Sequence, residues 1–202
     1  MNLNNFKERN IMNIRKLIIT ILIFVLCSVS IVNFAEAYSL EGYHWPTNTT
    51  YWYVPGSDIS SDGIYAITLA DNQWNNIQNK KISLVNNGQR CLTKQFTHDG
   101  VNEIFKNNMG AGYLAETQSW SNGSNETEAD IVINVYYSIS ATTPPAPGSY
   151  HLTSMITHEF GHVAGLGHST YSTAVMYPTF AQGEVRYILS SDDISGYNHI
   201  QW

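Results

Sequence analysis

Hydrophobic and polar positions change their spacing repeatedly along this chain, and each change marks an element. Residues 17–32 form an apolar run broken only by Thr20, Ser28 and Ser30. Thr50-Tyr51-Trp52-Tyr53-Val54 is rich in β-formers and stops at Pro55-Gly56, which predicts a first strand closed by a turn. Ile64, Ile67, Leu69, Ala70, Trp74 and Ile77 then recur at three- and four-residue spacing, predicting a helix capped by Ser61 or Asp62 and ending near Asn79. Ile82 to Val85, Val101 to Phe105 and Gly112 to Thr117 are short strand candidates separated by Asn- and Gly-rich turns. Polar Ser121 to Asn125 reads as an exposed loop, and Ile131 to Tyr136, nearly continuous in β-formers, as a strand buried on both faces. Prolines 144, 145 and 147 interrupt regular structure before a second helix, from about Ser149 to Ala164. A last helix, roughly Ser190 to Ile200, opens on Ser191-Asp192-Asp193, whose acids suit the positive end of the helix dipole.

Length and charge narrow this picture. The 202 residues, 43% of them hydrophobic, suffice for one ordinary core. Lys7, Arg9, Arg15 and Lys16 precede the apolar run and Ala35-Glu36-Ala37 follows it, the order of a secretory signal peptide. Cleavage is expected after Ala37, leaving residues 38–202 as a single secreted domain, monomeric and without stable membrane insertion. The alternative is a retained anchor, but the run of 16 residues falls short of the ~20 a spanning helix needs. The mature part keeps 6 Lys+Arg against 14 Asp+Glu, a net charge of −8. With no basic stripe to neutralise phosphates, nucleic acid is not an expected partner. Cys27 leaves with the signal, so Cys91 has no intrachain partner. It is read as a small buried hydrophobe, with an intermolecular bridge or a contact to a metal as alternatives.

The chemistry lies in the second helix. In His158-Glu159-Phe160-Gly161-His162 two imidazoles sit four residues apart on one helical face and can reach a single ion. A catalytic zinc usually takes three protein ligands and leaves one place for water. His168 is the candidate third ligand, because Gly165 can take the positive φ that ends a helix and turns the chain back. Glu159, directly after the first ligand, falls beside the open coordination place rather than in it. The expected chemistry is hydrolysis: the metal acidifies water and polarises a carbonyl, and Glu159 takes the water's proton and passes it to the leaving amine. Against this stands the bland reading of two polar histidines and a solvated glutamate on an amphipathic helix. The further glycine and histidine positions weigh heavily against it.

His158-Glu159-x-x-His162-x-x-Gly165-x-x-His168, with Met176 eight residues on, resembles the extended zinc motif and Met-turn of the metzincin zinc proteases. Ser169 after the third His resembles the matrixin branch, and Ala174 to Phe180 is similar to that branch's Met-turn and specificity-pocket wall. Gly112-Tyr113-Leu114-Ala115 resembles its substrate-pairing edge strand, and Leu189 to Gly196 the start of its terminal helix. The likeness covers most of residues 38–202 and is sharp from His158 to Phe180. It implies an extended peptide or protein substrate laid along Leu114 and Ala115, an apolar pocket walled by Pro178 and Phe180, and Met176 as a packing residue beneath the metal. Tyr177 directly follows Met176, where some metzincins place a ligating Tyr one position later, so it is not expected to ligate. The resemblance further implies that the α-amino group of Tyr38 would pair with Asp192 or Asp193. Two family features lack counterparts: Cys91 matches no propeptide cysteine switch, and His98 has no companions for a second, structural zinc. Calcium is a further candidate cofactor near Asp99, Glu126, Glu128 or Asp130, where the ordinary reading is solvated acids.

The expected fold is α+β, a metzincin-like catalytic domain: a twisted, mostly parallel sheet of about five strands with an antiparallel edge strand, two helices against it and a small subdomain after the zinc motif. Two rivals stand beside the peptidase. One is a secreted binding module, suggested by 5 Trp and 13 Tyr. The other is a peptidase fold that holds zinc without turnover, against which Glu159 argues.

Overall fold

The computed structural model describes residues 36–202; the charged start, the apolar run and Cys27 lie outside the described residues. Seven strands and three helices follow: β1 (Thr49–Pro55), α1 (Ser61–Asn75), β2 (Ile82–Asn86), β3 (Asn102–Asn107), β4 (Ala115–Asn122), β5 (Asn125–Asn134), β6 (Ile139–Ser140), β7 (Tyr150–His151), α2 (Leu152–Val163) and α3 (Ser191–His199). Five strands form one sheet in the order β2-β1-β3-β5-β4. The pairs β1–β2, β1–β3 and β3–β5 are parallel, and β4 runs antiparallel to β5 at the edge. The predicted mixed sheet with an antiparallel edge is thus the observed one. Among the described residues no helix is long and apolar enough to cross a membrane.

Alternation along β1 shows why it sits where it does. Tyr51 and Tyr53 point into the core while Trp52 between them is exposed. The two tyrosines, with Ile104, Ile131 and Ile133, meet Ala66, Ile67, Ala70 and Trp74 of α1 and Ile156, Phe160 and Val163 of α2 in one hydrophobic cluster. Each large aromatic brings a polar tip that must be satisfied once buried. Tyr51 donates to Ala129 O at 2.7 Å, Tyr53 to Asp71 Oδ2 at 2.5 Å, Trp74 Nε1 to Thr157 O at 2.8 Å and Trp45 Nε1 to Val163 O at 2.9 Å. Tyr53 thus ties α1 to the sheet, and Trp74 and Trp45 tie α2 to α1 and to the segment before β1, which fixes the height of α2. Of the tryptophans and tyrosines cited for a binding module, Trp45, Trp74, Tyr51, Tyr53 and Tyr197 are core, whereas Trp52, Tyr65, Tyr113, Tyr136 and Tyr171 are exposed.

Several boundaries differ from the expected ones. The first helix is capped by Ser60, whose side chain accepts from Gly63 N, and it stops at Asn75 rather than Asn79. Asn76 to Asn79 turn instead, with Asn79 at φ 61°. The polar stretch expected as a loop is a hairpin: Asn122 pairs with Asn125 across Gly123-Ser124, with Gly123 at φ 63°, as a two-residue connection requires of glycine. β4 and β5 were misjudged because Gln118 to Glu128 is polar, yet their backbone pairs throughout apart from a bulge at Trp120/Ser121. β6 and β7 are two residues each, too short to show a period.

β5 is buried on both faces as expected, but a loop, not a helix, covers its second face. Phe96 stacks edge-on against Phe105 at 5.5 Å. Thr97 N donates to Asp130, and Asp99 N and Gly100 N donate to the two oxygens of Glu128. Cys91 lies on this covering segment and is exposed, which corrects the expectation of a buried thiol. Glu126 is different: 2% exposed, it has one partner, Ser119 Oγ at 2.5 Å, and its other oxygen has none. Burial, with a smaller push from the charge of Glu41, raises its carboxyl from 4.5 to about 9 against the opposing Ser119 hydroxyl.

α3 is held by a capping box in which Ser190 and Asp193 exchange side-chain and backbone bonds. The carboxylate of Asp193, fully buried, also accepts from Val175 N at 2.9 Å and Met176 N at 3.0 Å. The helix start therefore anchors the turn around Met176.

Two outcomes follow. Glu126 holds its proton far more tightly folded than unfolded, so its favourable contribution is complete below pH 4.5 and is lost as pH rises toward about 9. In Glu126→Gln the melting temperature should gain on the wild type steadily between those values, and parallel melting profiles would contradict the burial argument. Asp193→Ala removes a cap partner and strands two buried N–H groups, a loss of about 3 kcal/mol in urea unfolding at unchanged m. A loss below about 1 kcal/mol would show that water replaces the carboxylate.

Candidate active site

The second helix starts from β7 and presents His158, Glu159 and His162 toward the open edge of the sheet. Gly161 fits here for a packing reason: a Cβ would come within 2.9 Å of Trp74 and would overlap the Met176 sulfur. The helix ends as Gly165 takes φ 99°, and Leu166 N turns back to Gly161 O at 3.0 Å. The chain then returns through His168 and Ser169, whose N–H bonds Met176 O at 2.8 Å.

The three imidazoles converge. One nitrogen from each of His158, His162 and His168 lies within 4.8 Å of the other two, and among the described residues this is the group of ligating side chains that could share an ion. The Nε2 atoms of His158 and His162 are 3.1 Å apart. Their Nδ1 atoms contact carbonyls, Val175 O and Leu166 O, each at 2.8 Å. A carbonyl only accepts, so each Nδ1 carries the hydrogen and each Nε2 presents a lone pair to the shared space. Neutral imidazoles with oriented outer nitrogens are the donor set a zinc ion requires. Burial, then the neighbouring His162, holds His158 well below the usual imidazole range, and burial lowers His168 as well. For His162 burial is outweighed by Glu41, Glu159 and the Leu166 carbonyl, and its net shift is upward.

Glu159 is 6% exposed, and Thr117 Oγ1 of β4 donates to its Oε2 at 2.6 Å. Burial raises its carboxyl above the ordinary value, against the lowering effects of His162 and Thr117. Met176, 1% exposed, packs under the imidazoles against Gly161.

Around this group runs an open cleft of about 680 Å³. Leu114, Ala115, Pro178 and Phe180, the residues expected along the substrate, all line it with Met155. Phe180 stands edge-on to His158 at 5.7 Å. Leu114 precedes β4, yet its carbonyl continues the ladder by accepting Asn134 N at 3.0 Å. The acids considered for calcium divide. Glu128 and Asp130 accept backbone N–H groups of the covering loop, Asp99 caps Val101 N, and Glu126 faces Ser119.

Sequence reasoning missed two contributors. Arg186 is buried with its guanidinium 4.2 Å from the Phe180 ring centroid, and it donates to the carbonyls of Ala174, Tyr177 and Thr179. Tyr177 lies beneath the same guanidinium at 5.6 Å. Glu184 and Arg186, the two charged residues between His168 and Asp192 and ion-paired at 2.6 Å, were the available signal. The second is the N-terminal segment. Leu40 pairs antiparallel with Leu166, Glu41 N donates to Gly165 O, Gly167 N to Ser39 O, and Ser39 Oγ to His168 O. In the intact chain the N–H that reaches Asp192 is that of Ala37, at 3.1 Å, one residue before Tyr38. Ser169 Oγ holds the other oxygen of Asp192 at 2.6 Å.

Comparison with known proteins agrees with this geometry. The chain is 28% identical over 168 residues to metalloendoproteinase 2-MMP of Arabidopsis thaliana, covering 77% of this chain and 42% of that protein. It is 26% identical over 153 residues to metalloendoproteinase 1 of Glycine max, covering 74% and 49%, and 34% identical over 88 residues to human matrilysin, covering 43% and 25%. The chain thus spans less than half the length of these relatives. The family model described as matrixin matches residues 46–201, a span holding all three imidazoles, the turn at Met176 and the entire sheet, so the chain belongs to the matrixin family.

Proposed function

We propose that the protein is a secreted zinc-dependent endopeptidase, with His158, His162 and His168 holding the metal and Glu159 serving as general base. The observation that carries this reading is the convergence of three imidazole nitrogens beside a buried carboxyl, under a strand edge that has no sheet neighbour among the described residues. Residues 1–37 are the segment removed on export, and residues 38–202 the catalytic domain.

His158, His162 and His168 would hold a zinc ion, which would supply Lewis acidity toward water and a carbonyl. The chain's own residues do the rest. β4 offers its free edge to an extended peptide, whose main chain adds as a further strand. Leu114, Met155, Pro178 and Phe180 receive the side chain that follows the scissile bond and hold the reacting carbonyl by the imidazoles. Glu159, steadied by Thr117, takes a proton from the attacking water and returns it to the leaving nitrogen. A carboxyl raised by burial binds the water's proton more readily than an exposed glutamate would.

The test is hydrolysis of a peptide library by the purified protein. Turnover should vanish with a chelator and return with zinc, and the products should show an apolar residue after the cut. Glu159→Ala should keep stoichiometric zinc by elemental analysis while kcat falls by a factor of about 10²–10⁴. Undiminished turnover in that variant would remove Glu159 from the mechanism. Native protein without a transition metal would remove the peptidase assignment, and an acidic or basic preference after the cut would remove the pocket assignment.

A further inference from the structure

The residues lining the cleft include three carboxylates, Glu41, Glu116 and Glu159, and no lysine or arginine. Glu159 is buried beside the imidazoles, whereas Glu41 keeps 36% of its side chain exposed and Glu116 is half-buried on β4. Glu41 does not reach the cleft by chance of a loose tail. Its N–H is bonded to Gly165 O at 2.9 Å, and the two residues before it, Ser39 and Leu40, are strapped to the turn that carries His168. Its carboxylate oxygen stands 3.6 Å from His162 Nδ1, and that is its one ion-pair contact among the described residues. Since that Nδ1–H already serves Leu166 O at 2.8 Å, the Glu41 charge is left facing the cleft.

Position along β4 says which part of a substrate would meet it. The start of the strand, at Leu114 and Ala115, lies by the pocket of Pro178 and Phe180. At the far end of the strand, His44 N, three residues after Glu41, donates to Ser124 O of the hairpin at 2.9 Å. A peptide added antiparallel to β4, with its carboxyl-terminal part over the pocket, therefore runs its amino-terminal part past Thr117 and toward Glu41. At about 3.3 Å per residue, the second or third residue before the scissile bond comes within reach of a long side chain.

We infer that Glu41, aided by Glu116, is a specificity-determining residue that selects substrates carrying lysine or arginine two or three residues before the scissile bond. This rests on the peptidase reading and deepens it. An opposite charge at the rim of a cleft favours one substrate, while an acidic side chain in the same place is repelled, so discrimination gains from both sides.

The experiment uses the zinc-loaded protein and synthetic peptides identical except for Lys, Ala or Glu two, and then three, residues before a leucine that follows the cut. The ratio of kcat/KM for the Lys over the Glu peptide is compared within each variant, so a general loss of activity cancels. It should be roughly five- to tenfold in the wild type at low salt, near one in Glu41→Gln and inverted in Glu41→Lys. A ratio that ignores both substitutions, or a basic preference found only after the cut, overturns the inference and leaves the peptidase reading standing. Binding of fluorescein-labelled Lys and Glu peptides to zinc-loaded Glu159→Ala, followed by anisotropy, reads the same preference without turnover. If the wild type cleaves nothing yet this variant prefers the Lys peptide and loses the preference with Glu41→Gln, the peptidase reading falls and the role of Glu41 survives.

Discussion

Two backbone carbonyls hold the site in the form described. Val175 O and Leu166 O take the Nδ1 hydrogens of His158 and His162, and this alone turns both Nε2 lone pairs into the same space at 3.1 Å. The arrangement is the one a single cation would need from both rings. It persists because neither carbonyl is free to move. Val175 lies in the turn whose N–H groups are bonded to Asp193, and Leu166 is pinned by Gly161 O and by the strap residue Leu40. Ring orientation is therefore set far from the helix that carries the rings, by α3 on one side and the N-terminal segment on the other. Arg186 reinforces the same region by gathering three carbonyls of the turn and its continuation.

Burial of acids is the second constraint that organises the molecule. β5 reads as an apolar strand from Ile131 onward, but its first half carries Glu126, Glu128 and Asp130, all below 3% exposure. Glu128 is accommodated because the loop before β3 turns its N–H groups onto it, and Asp130 by Thr97 N of that loop together with Glu103 N of β3, which also explains how the loop covers a sheet face without a helix. Burial still raises Asp130 to about 7. Glu126, with one hydroxyl partner, is accommodated by keeping its proton. The negative charge of the chain is thus unevenly expressed: part is neutralised inside, and part, at Glu41 and Glu116, is displayed in the cleft.

How much of this was legible follows from which signals are local. The imidazoles, Glu159 and Gly165 belong to one helical period and its terminator, so spacing alone placed them on one face with a return path for His168. Met176 and the pocket residues came with the same stretch of chain. Helix periods and β-branched runs likewise located α1, α2, α3, β1, β2 and β3 to within a few residues. The hairpin from β4 to β5 was not legible because its strands are polar and their pairing depends on backbone bonds that no side-chain alternation reports. Cys91 was misplaced because burial statistics for cysteine say nothing of a segment that lies over the sheet as a covering loop. Arg186 and Glu41 were missed for a third reason. Each acts across a large separation in sequence, on carbonyls or a cleft that exist only once the fold has closed.

The N-terminal strap and the turn that carries His168 meet at one residue, Gly165. Gly165 was read from sequence as the glycine that ends the helix with positive φ, and it has φ 99°. A Cβ there would also stand 2.6 Å from Tyr43 O, too close for any side chain. The same missing methyl group that lets the chain turn toward His168 thus lets the N-terminal segment lie against the turn. The close approach brings Glu41 to His162, aligns Ser39 with His168 O, and leads the chain on to the hairpin at His44, whose N–H bonds Ser124 O and whose carbonyl accepts Glu126 N. A larger residue at 165 would lift the strap from the turn even if the backbone tolerated the φ. The geometry of the cleft's amino-terminal half is therefore coupled, through one glycine, to the geometry of the three imidazoles.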